Sequence, residues 1–177
     1  MQKLLFLILW ALPFSMAAQP GDNVIRWQEN LKLTWEDYKG KPDPATDAAA
    51  STATYLGIEY SFENNKVGFK ITNSFSLSRS WVRHKTDHVL SHEQGHFDIA
   101  EIFARKLNRE MKSYTFNAGT YKTDLRTIYE NVLRQKEEMQ NAYDAETDHS
   151  INKEKQAEWL KKIAQFLNEY AGHAVYL

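Results

Sequence analysis

Residues 56–71 read LGIEYSFENNKVGFKI, and apolar and polar side chains alternate on both sides of Asn64-Asn65. A period of two is typical of a β-strand with one buried face, and asparagine tolerates the positive φ angles of a tight turn. Because apolar residues meet apolar residues across such a turn, the stretch predicts an antiparallel hairpin over about 55–78. The predicted pairs are Phe62 with Val67, Tyr60 with Phe69, and Ile58 with Ile71.

Two weaker patterns precede the hairpin. Leu31, Leu33 and Trp35 alternate with polar residues and predict a short strand. Residues 40–44, GKPDP, predict a loop, because glycine and proline interrupt the backbone ladder of a sheet. Residues 19–30 predict only a lead-in to the domain.

The periodicity changes after the hairpin. Apolar and histidine side chains then recur every three or four residues, which is typical of helices with one buried face. The predicted helices run from about Thr86 to Lys112, from about Thr120 or Thr123 to Ala142, and from Asn152 onwards. Residues 143–150, YDAETDHS, predict a polar loop between the last two. Strands followed by helices predict an α+β fold, a small antiparallel sheet packed on a three-helix segment.

Residues 1–18 have the layout of a secretory signal peptide. A basic start precedes an apolar run, residues 4–14, and small residues follow it. The run is short and contains Pro13, which favours cleavage over an uncleaved membrane anchor. We therefore expect an exported, periplasmic or secreted protein with one mature domain, residues 19–177, and no stable membrane span.

The composition excludes several classes of site and partner. The chain has no cysteine, so neither a disulfide framework nor a thiolate zinc site can form. The net charge is −1, which favours neither nucleic acid nor an anionic membrane as a partner. With 42% hydrophobic residues, the chain can build a core of normal size.

Residues 92–96, HEQGH, predict a metal site on the first helix. His92 and His96 stand one helical turn apart on one face, so both imidazoles can bind the same ion. Glu93 lies beside His92, where its carboxylate can accept a proton from a zinc-bound water. Gly95 is costly inside a helix, by about 0.5–1 kcal/mol relative to alanine. Its presence predicts that another group packs closely against this turn.

Histidines occur at positions 84, 88, 92 and 96, so neighbouring pairs compete for the ion. Only His92 is followed by a glutamate, and only the 92/96 pair continues into the apolar stripe of Ile99 and Phe103. We therefore assign the ion to His92 and His96. His84 and His88 are expected to be exposed or to support the site from outside it.

A third ligand must come from elsewhere in the chain. Asp98 and Glu101 are about 160° and 140° away from His96 around the helix, so they point away from the ion. The candidates are Asp144, Glu146, Asp148 and His149 of the predicted loop, and His173 near the C-terminus.

The motif LSHEQGHFDIAE followed by ARKL, the early LTWEDYKGKP and the later YDAETDHS resemble a bacterial family of predicted secreted zinc-dependent proteases, otherwise of unknown function. The resemblance extends from about Trp27 to Trp159. It implies a zincin-like active-site helix, His92 and His96 as zinc ligands, Glu93 as catalytic base and His149 as third ligand. Ser150 departs from the family pattern, where glycine is more usual.

The expected function is a zinc metallopeptidase that hydrolyses peptide bonds of a peptide or protein substrate outside the cytoplasm. Two alternatives stay open: a catalytically silent zinc-holding envelope binding module, and a metal-free protein that binds a partner. For the peptidase, residues 71–78 are a candidate edge for an extended peptide, or an ordinary solvent-facing strand. Tyr143 is either a donor to an oxyanion or an ordinary core residue. Asp144 either orients a ligand imidazole or is an ordinary carboxylate at the end of a helix.

Overall fold

The computed structural model describes residues 23–63 and 66–174, and the predicted signal peptide over 1–18 lies outside them. Within these residues, five strands precede three long helices, so the predicted α+β class is confirmed. The strands are β1 Val24–Arg26, β2 Ala50–Ser51, β3 Thr54–Glu63, β4 Lys66–Ser76 and β5 Trp81–Val82. The helices are α1 Asp87–Ser113, α2 Tyr121–Thr147 and α3 Lys153–Glu169, with short 3-10 turns at Trp35–Asp37 and Ala171–His173.

The hairpin has the register that its alternating pattern predicts. β3 and β4 pair antiparallel, and the structure confirms the three apolar pairs 62/67, 60/69 and 58/71. The turn residues, 64 and 65, lie outside the described part of the chain. Leu56 and Ile71 are buried against the helices and form one core with Ile99, Leu107 and other apolar residues of α1, α2 and α3.

β4 is the central strand of a three-stranded sheet ordered β1-β4-β3. β1 pairs with residues 74–76 of β4, and β3 covers the opposite side. Ser74 and Ser76 are buried. The candidate that residues 71–78 offer a free edge to a peptide is therefore wrong over 74–76, because the chain's own lead-in already occupies that edge.

The strand predicted at 31–35 does not form. Leu33 is buried, and its N–H donates to Gln94 Oε1 of α1 at 2.9 Å, so a helix side chain satisfies the backbone in place of a neighbouring strand. The apolar side chains of this stretch pack in a second core with Phe75 and Phe97. The alternation of apolar residues over 31–35 therefore reflects burial against α1 and not pairing with another strand.

α2 is longer than its sequence pattern predicts. It ends at Thr147, so residues 143–147 of the predicted loop are its last helical turn. Tyr143 and Thr147 are both fully buried and extend the inner face of the helix past Ala142. The polar side chains between them obscure this continuation in the sequence.

The first helix, α1, ends at Ser113, one residue from its predicted end.

A buried polar network joins α1 to the sheet and to α3. Glu101 Oε1 accepts from Arg105 Nε at 2.9 Å, and Glu101 Oε2 accepts from Asn73 Nδ2 at 3.1 Å. The same guanidinium donates to the Leu167 carbonyl at 2.6 Å. These contacts orient α1 with its histidine face towards α2. None of the helices in the described residues is both long and apolar enough to span a membrane.

Candidate metal centre

His92 and His96 lie on the face of α1 that meets α2, one helical turn apart. Their Nε2 atoms are 3.1 Å from each other. Asp144 on α2 brings a carboxylate oxygen to the same point: Oδ1 is 3.1 Å from His92 Nε2 and 3.0 Å from His96 Nε2. Three donor atoms from two antiparallel helices thus form a nearly equilateral triangle.

The triangle has the size of a metal-binding face. Tetrahedral ligands at about 2.0–2.1 Å from zinc lie about 3.3–3.4 Å apart, close to the observed 3.0–3.1 Å. The three residues, His92, His96 and Asp144, lie close enough together to hold one metal ion. A site with two imidazoles and one carboxylate can bind several divalent metals.

Gln140 selects the ring nitrogen of His96 that faces the triangle. Its Oε1 contacts His96 Nδ1, and its Nε2 donates to the His96 carbonyl at 3.0 Å. A proton on Nδ1 leaves the Nε2 lone pair directed at Asp144 Oδ1. Two facing lone pairs repel unless a cation or a second proton lies between them, so the donor set fits a bound cation.

The electrostatics of the three groups favour a positive ion. Burial acts to raise the pKa of Asp144, but its contacts with His92 and His96 hold that pKa well below its usual range. Burial lowers the pKa of His92. Burial also opposes a charged His96, yet Asp144 and Glu93 outweigh it and raise the His96 pKa. The site therefore carries a permanent carboxylate charge.

Glu93 supplies a second carboxylate beside the three donor groups. It is 4% exposed, and within the described chain its Oε2 has no hydrogen-bond partner. The negative charge of Glu93 adds to burial in raising the pKa of both Tyr38 and Tyr143. A buried carboxylate oxygen with no partner is available to accept a proton from a substrate or water molecule.

Tyr143 supports both histidines from behind. Its ring stacks on His92 with centroids 4.4 Å apart and lies 5.1 Å from the His96 ring. The hydroxyl is directed at the His92 carbonyl, 3.4 Å away, and the residue is fully buried. This is the group whose close packing Gly95 predicts. The geometry supports the core role of Tyr143, because its hydroxyl faces helix backbone.

His149 lies beside the triangle. Its Nδ1 is 3.8 Å from Asp144 Oδ1, and its side chain is 72% exposed. The residue follows α2, in a turn where Asp148, His149 and Ser150 have φ angles of 49°, 50° and 77°. The φ of 77° at Ser150 is one that glycine adopts without strain, in keeping with the glycine that the resemblance implies at this position. Ligation by His149 stays a prediction.

Among the described residues, the other candidate ligands do not belong to the group that can hold an ion. Glu146 accepts from Trp159 Nε1 at 2.8 Å. Asp98, already excluded by its position on the helix, accepts from Trp27 Nε1 at 2.8 Å. Asp148 is exposed. The His173 carbonyl accepts from Asn108 Nδ2 at 2.7 Å, at the far end of α1.

Of the two remaining histidines, His84 is exposed, as expected. His88 supports the site from outside it: its Nε2 donates to the Ser150 carbonyl at 2.6 Å. Gln156 of α3 donates to the His88 carbonyl at 2.9 Å. His88 thereby ties the first turn of α1 to the turn that carries His149.

A groove of about 510 Å³ opens over the donor triangle and Glu93. Residues 48–55 form one wall, and the opposite wall is formed by α2 from Lys136 to Asp144. β2 lies in the first wall and pairs with β5; in the part of the chain that the structure describes, its other edge has no partner strand.

The pairing shows which backbone groups of this wall are directed away from β5. Ala49 O accepts from Arg83 N at 2.7 Å, so 49 and 83 form a hydrogen-bonded pair. Hydrogen-bonded and non-hydrogen-bonded pairs alternate along an antiparallel ladder, so the N–H and C=O groups of Ala50 point away from β5. Sequence reasoning did not find this edge, because residues 48–54 are short side chains without a clear period.

Residues 16–150 match the family model described as "Bacterial protein of unknown function (DUF922)". No curated protein is a significant match to the chain. No solved structure is a significant match either.

Proposed function

The chain belongs to the DUF922 family of bacterial proteins of unknown function, and from its site we propose that it is a zinc-dependent peptidase acting outside the cytoplasm. The observation that carries the proposal is the convergence of His92, His96 and Asp144 near Glu93, whose buried Oε2 has no hydrogen-bond partner among the described residues. Three protein ligands and an open position are typical of catalytic zinc sites.

The proposed ligands are His92 Nε2, His96 Nε2 and Asp144 Oδ1. When bound, zinc supplies Lewis-acid chemistry: it polarises a carbonyl group and lowers the pKa of water in its open position. Glu93 acts as the general base, accepting a proton at its free oxygen and passing it to the leaving amine. Gln140 contacts the imidazole of His96 and Tyr143 stacks on that of His92, which orients the two rings.

The groove supports an extended peptide as the substrate. In its wall, Ala50 of β2 directs backbone N–H and C=O groups away from β5, where a peptide can add to β2 as a further strand. The small side chains of residues 48–53 leave room for those of the peptide. The signal peptide predicted over residues 1–18 supports a location in the periplasm or outside the cell.

The test compares the parent chain with Glu93→Gln, both purified without a histidine tag. We expect about one equivalent of zinc in each by elemental mass spectrometry, and turnover of a fluorogenic peptide library by the parent alone. Glu138→Gln is the matched control, because Glu138 is an exposed residue of α2 paired with Arg134. The control should retain both zinc and turnover.

Each alternative has its own result. Two histidines and a carboxylate also suit iron(II), so recovery of iron in place of zinc would reject the zinc assignment. A parent chain that retains zinc and cleaves nothing would indicate the silent binding module. Equal turnover by the parent and Glu93→Gln would reject Glu93 as the base.

A further inference from the structure

The guanidinium of Arg83 holds the loop of residues 43–48, which forms the rim of the groove. Its Nη1 donates to the carbonyls of Thr46 at 2.5 Å and Ala48 at 3.2 Å, and its Nη2 donates to the Asp43 carbonyl at 2.7 Å. Its Cζ lies 5.3 Å from the centre of the Trp81 ring. One side chain thus gathers three carbonyl groups of one short segment.

The backbone of Arg83 and His84 holds Ala49, the residue that follows this loop. Arg83 N and His84 N both donate to Ala49 O, at 2.7 and 3.0 Å. Among the described residues, the other hydrogen bonds of the 43–48 loop are local. Ala45 N donates to Asp43 Oδ1 at 2.9 Å, and Ala48 N donates to Thr46 Oγ1 at 3.2 Å. Arg83 is therefore the main hydrogen-bonded link from the loop to the folded domain.

The loop leads directly into the wall of the groove. Asp43, Thr46 and Ala48 line the groove themselves. Two residues after Ala48, β2 begins at Ala50, whose backbone groups are directed away from β5. Only Ala49 separates Ala48 from Ala50, so the loop and the edge of β2 are coupled through one residue that is itself bound to the backbone of Arg83 and His84.

We propose that Arg83 is a positioning residue that latches the 43–48 loop and so aligns the edge of β2 for an extended peptide. The consequence for substrate binding rests on the proposed peptidase function, whereas the latch itself does not. A planar guanidinium reaches several carbonyls at once because its five N–H donors form a rigid fork. Lysine preserves the charge but presents only a compact ammonium group.

The test uses Arg83→Lys and Arg83→Gln, with Arg134→Lys as the matched control. Arg134 lies on the exposed surface of α2, paired with Glu138. Hydrogen exchange followed by mass spectrometry is measured on the metal-free and zinc-loaded full chain. We expect amide exchange over residues 44–52 to rise about tenfold in both Arg83 variants, as the loss of a few hydrogen bonds implies, with α1 unchanged.

The kinetic readout uses a peptide that the parent cleaves. We expect the KM of both Arg83 variants to rise about five- to tenfold and kcat to stay within about twofold, because the donor triangle and Glu93 are untouched. Unchanged exchange over 44–52 in both variants would overturn the latch. Faster exchange throughout α1 and the core would also overturn it, because it would assign Arg83 a general structural role.

The two proposals fail separately. A fall in kcat with an unchanged KM would overturn the alignment of the β2 edge even where the loop loosens. If the parent cleaves no peptide, the proposed function fails, and the exchange measurement still decides whether Arg83 holds the loop.

Discussion

Tyr143 occupies the space that a side chain at Gly95 would need: a Cβ built at position 95 lies 2.6 Å from the tyrosine Oη and 2.9 Å from two ring carbons. The glycine of the HEQGH motif therefore serves packing between α1 and α2. Because the same ring stacks on His92, a change at position 95 acts on the metal centre through Tyr143.

We predict that Gly95→Ala destabilises the protein. Overpacking costs about 1–3 kcal/mol, which exceeds the gain of about 0.5–1 kcal/mol from helix propensity. Chemical denaturation and zinc titration should show lower stability and weaker metal binding together. Gly172→Ala is the control, because a Cβ there meets nothing within 4 Å. Stability equal to or above that of the parent would contradict the packing argument.

The identity of the third ligand can be tested by two substitutions. Asp144→Asn should lower zinc affinity by at least about 100-fold, because it removes one of three ligands and its charge. His149→Gln should change the affinity by less than about tenfold, because His149 Nδ1 lies outside the donor triangle. Competition with a chelator of known affinity gives both numbers. The reverse order of effects would restore His149 as the third ligand.

Arg105→Met should destabilise the chain by about 3–5 kcal/mol, because it leaves the Glu101 carboxylate buried without its cation. The substitution also removes the donor to the Leu167 carbonyl. Arg134→Met is the matched control: it breaks an exposed pair of the same spacing, which contributes about 0.3–0.5 kcal/mol. Urea denaturation measures both, and similar losses in the two variants would refute the assignment.

Tyr60 should make the stability depend on alkaline pH. Burial raises its pKa to about 12, with a further contribution from Tyr129. Because the folded pKa exceeds the unfolded value of about 10, this stabilisation is complete below pH 10 and is lost as the pH rises towards 12. Tyr60→Phe should flatten the decline in urea stability between those values. Ultraviolet titration should show one fewer late-ionising phenol, and identical titration curves would contradict the prediction.

The elements that the sequence predicted best are those with a local period. The alternation on both sides of 64–65 predicted the register of β3 and β4 residue by residue, because one face of a strand is buried and a one-residue slip would expose it. The helical period likewise predicted α1 to within one residue at either end. The prediction failed at 31–35, where alternating burial comes from packing on α1 without a strand partner.

Helical periodicity was enough to predict that His92, Glu93 and His96 form one group, because the rise and rotation of a helix place residues four apart on the same face. The groups that complete the site depend on how the helices pack. Asp144, Gln140 and Tyr143 reach the histidines because α1 and α2 pack antiparallel, so that successive turns of one helix meet successive turns of the other in reverse order. That pairing joins residues about fifty positions apart and depends on the shared core, which no local period records.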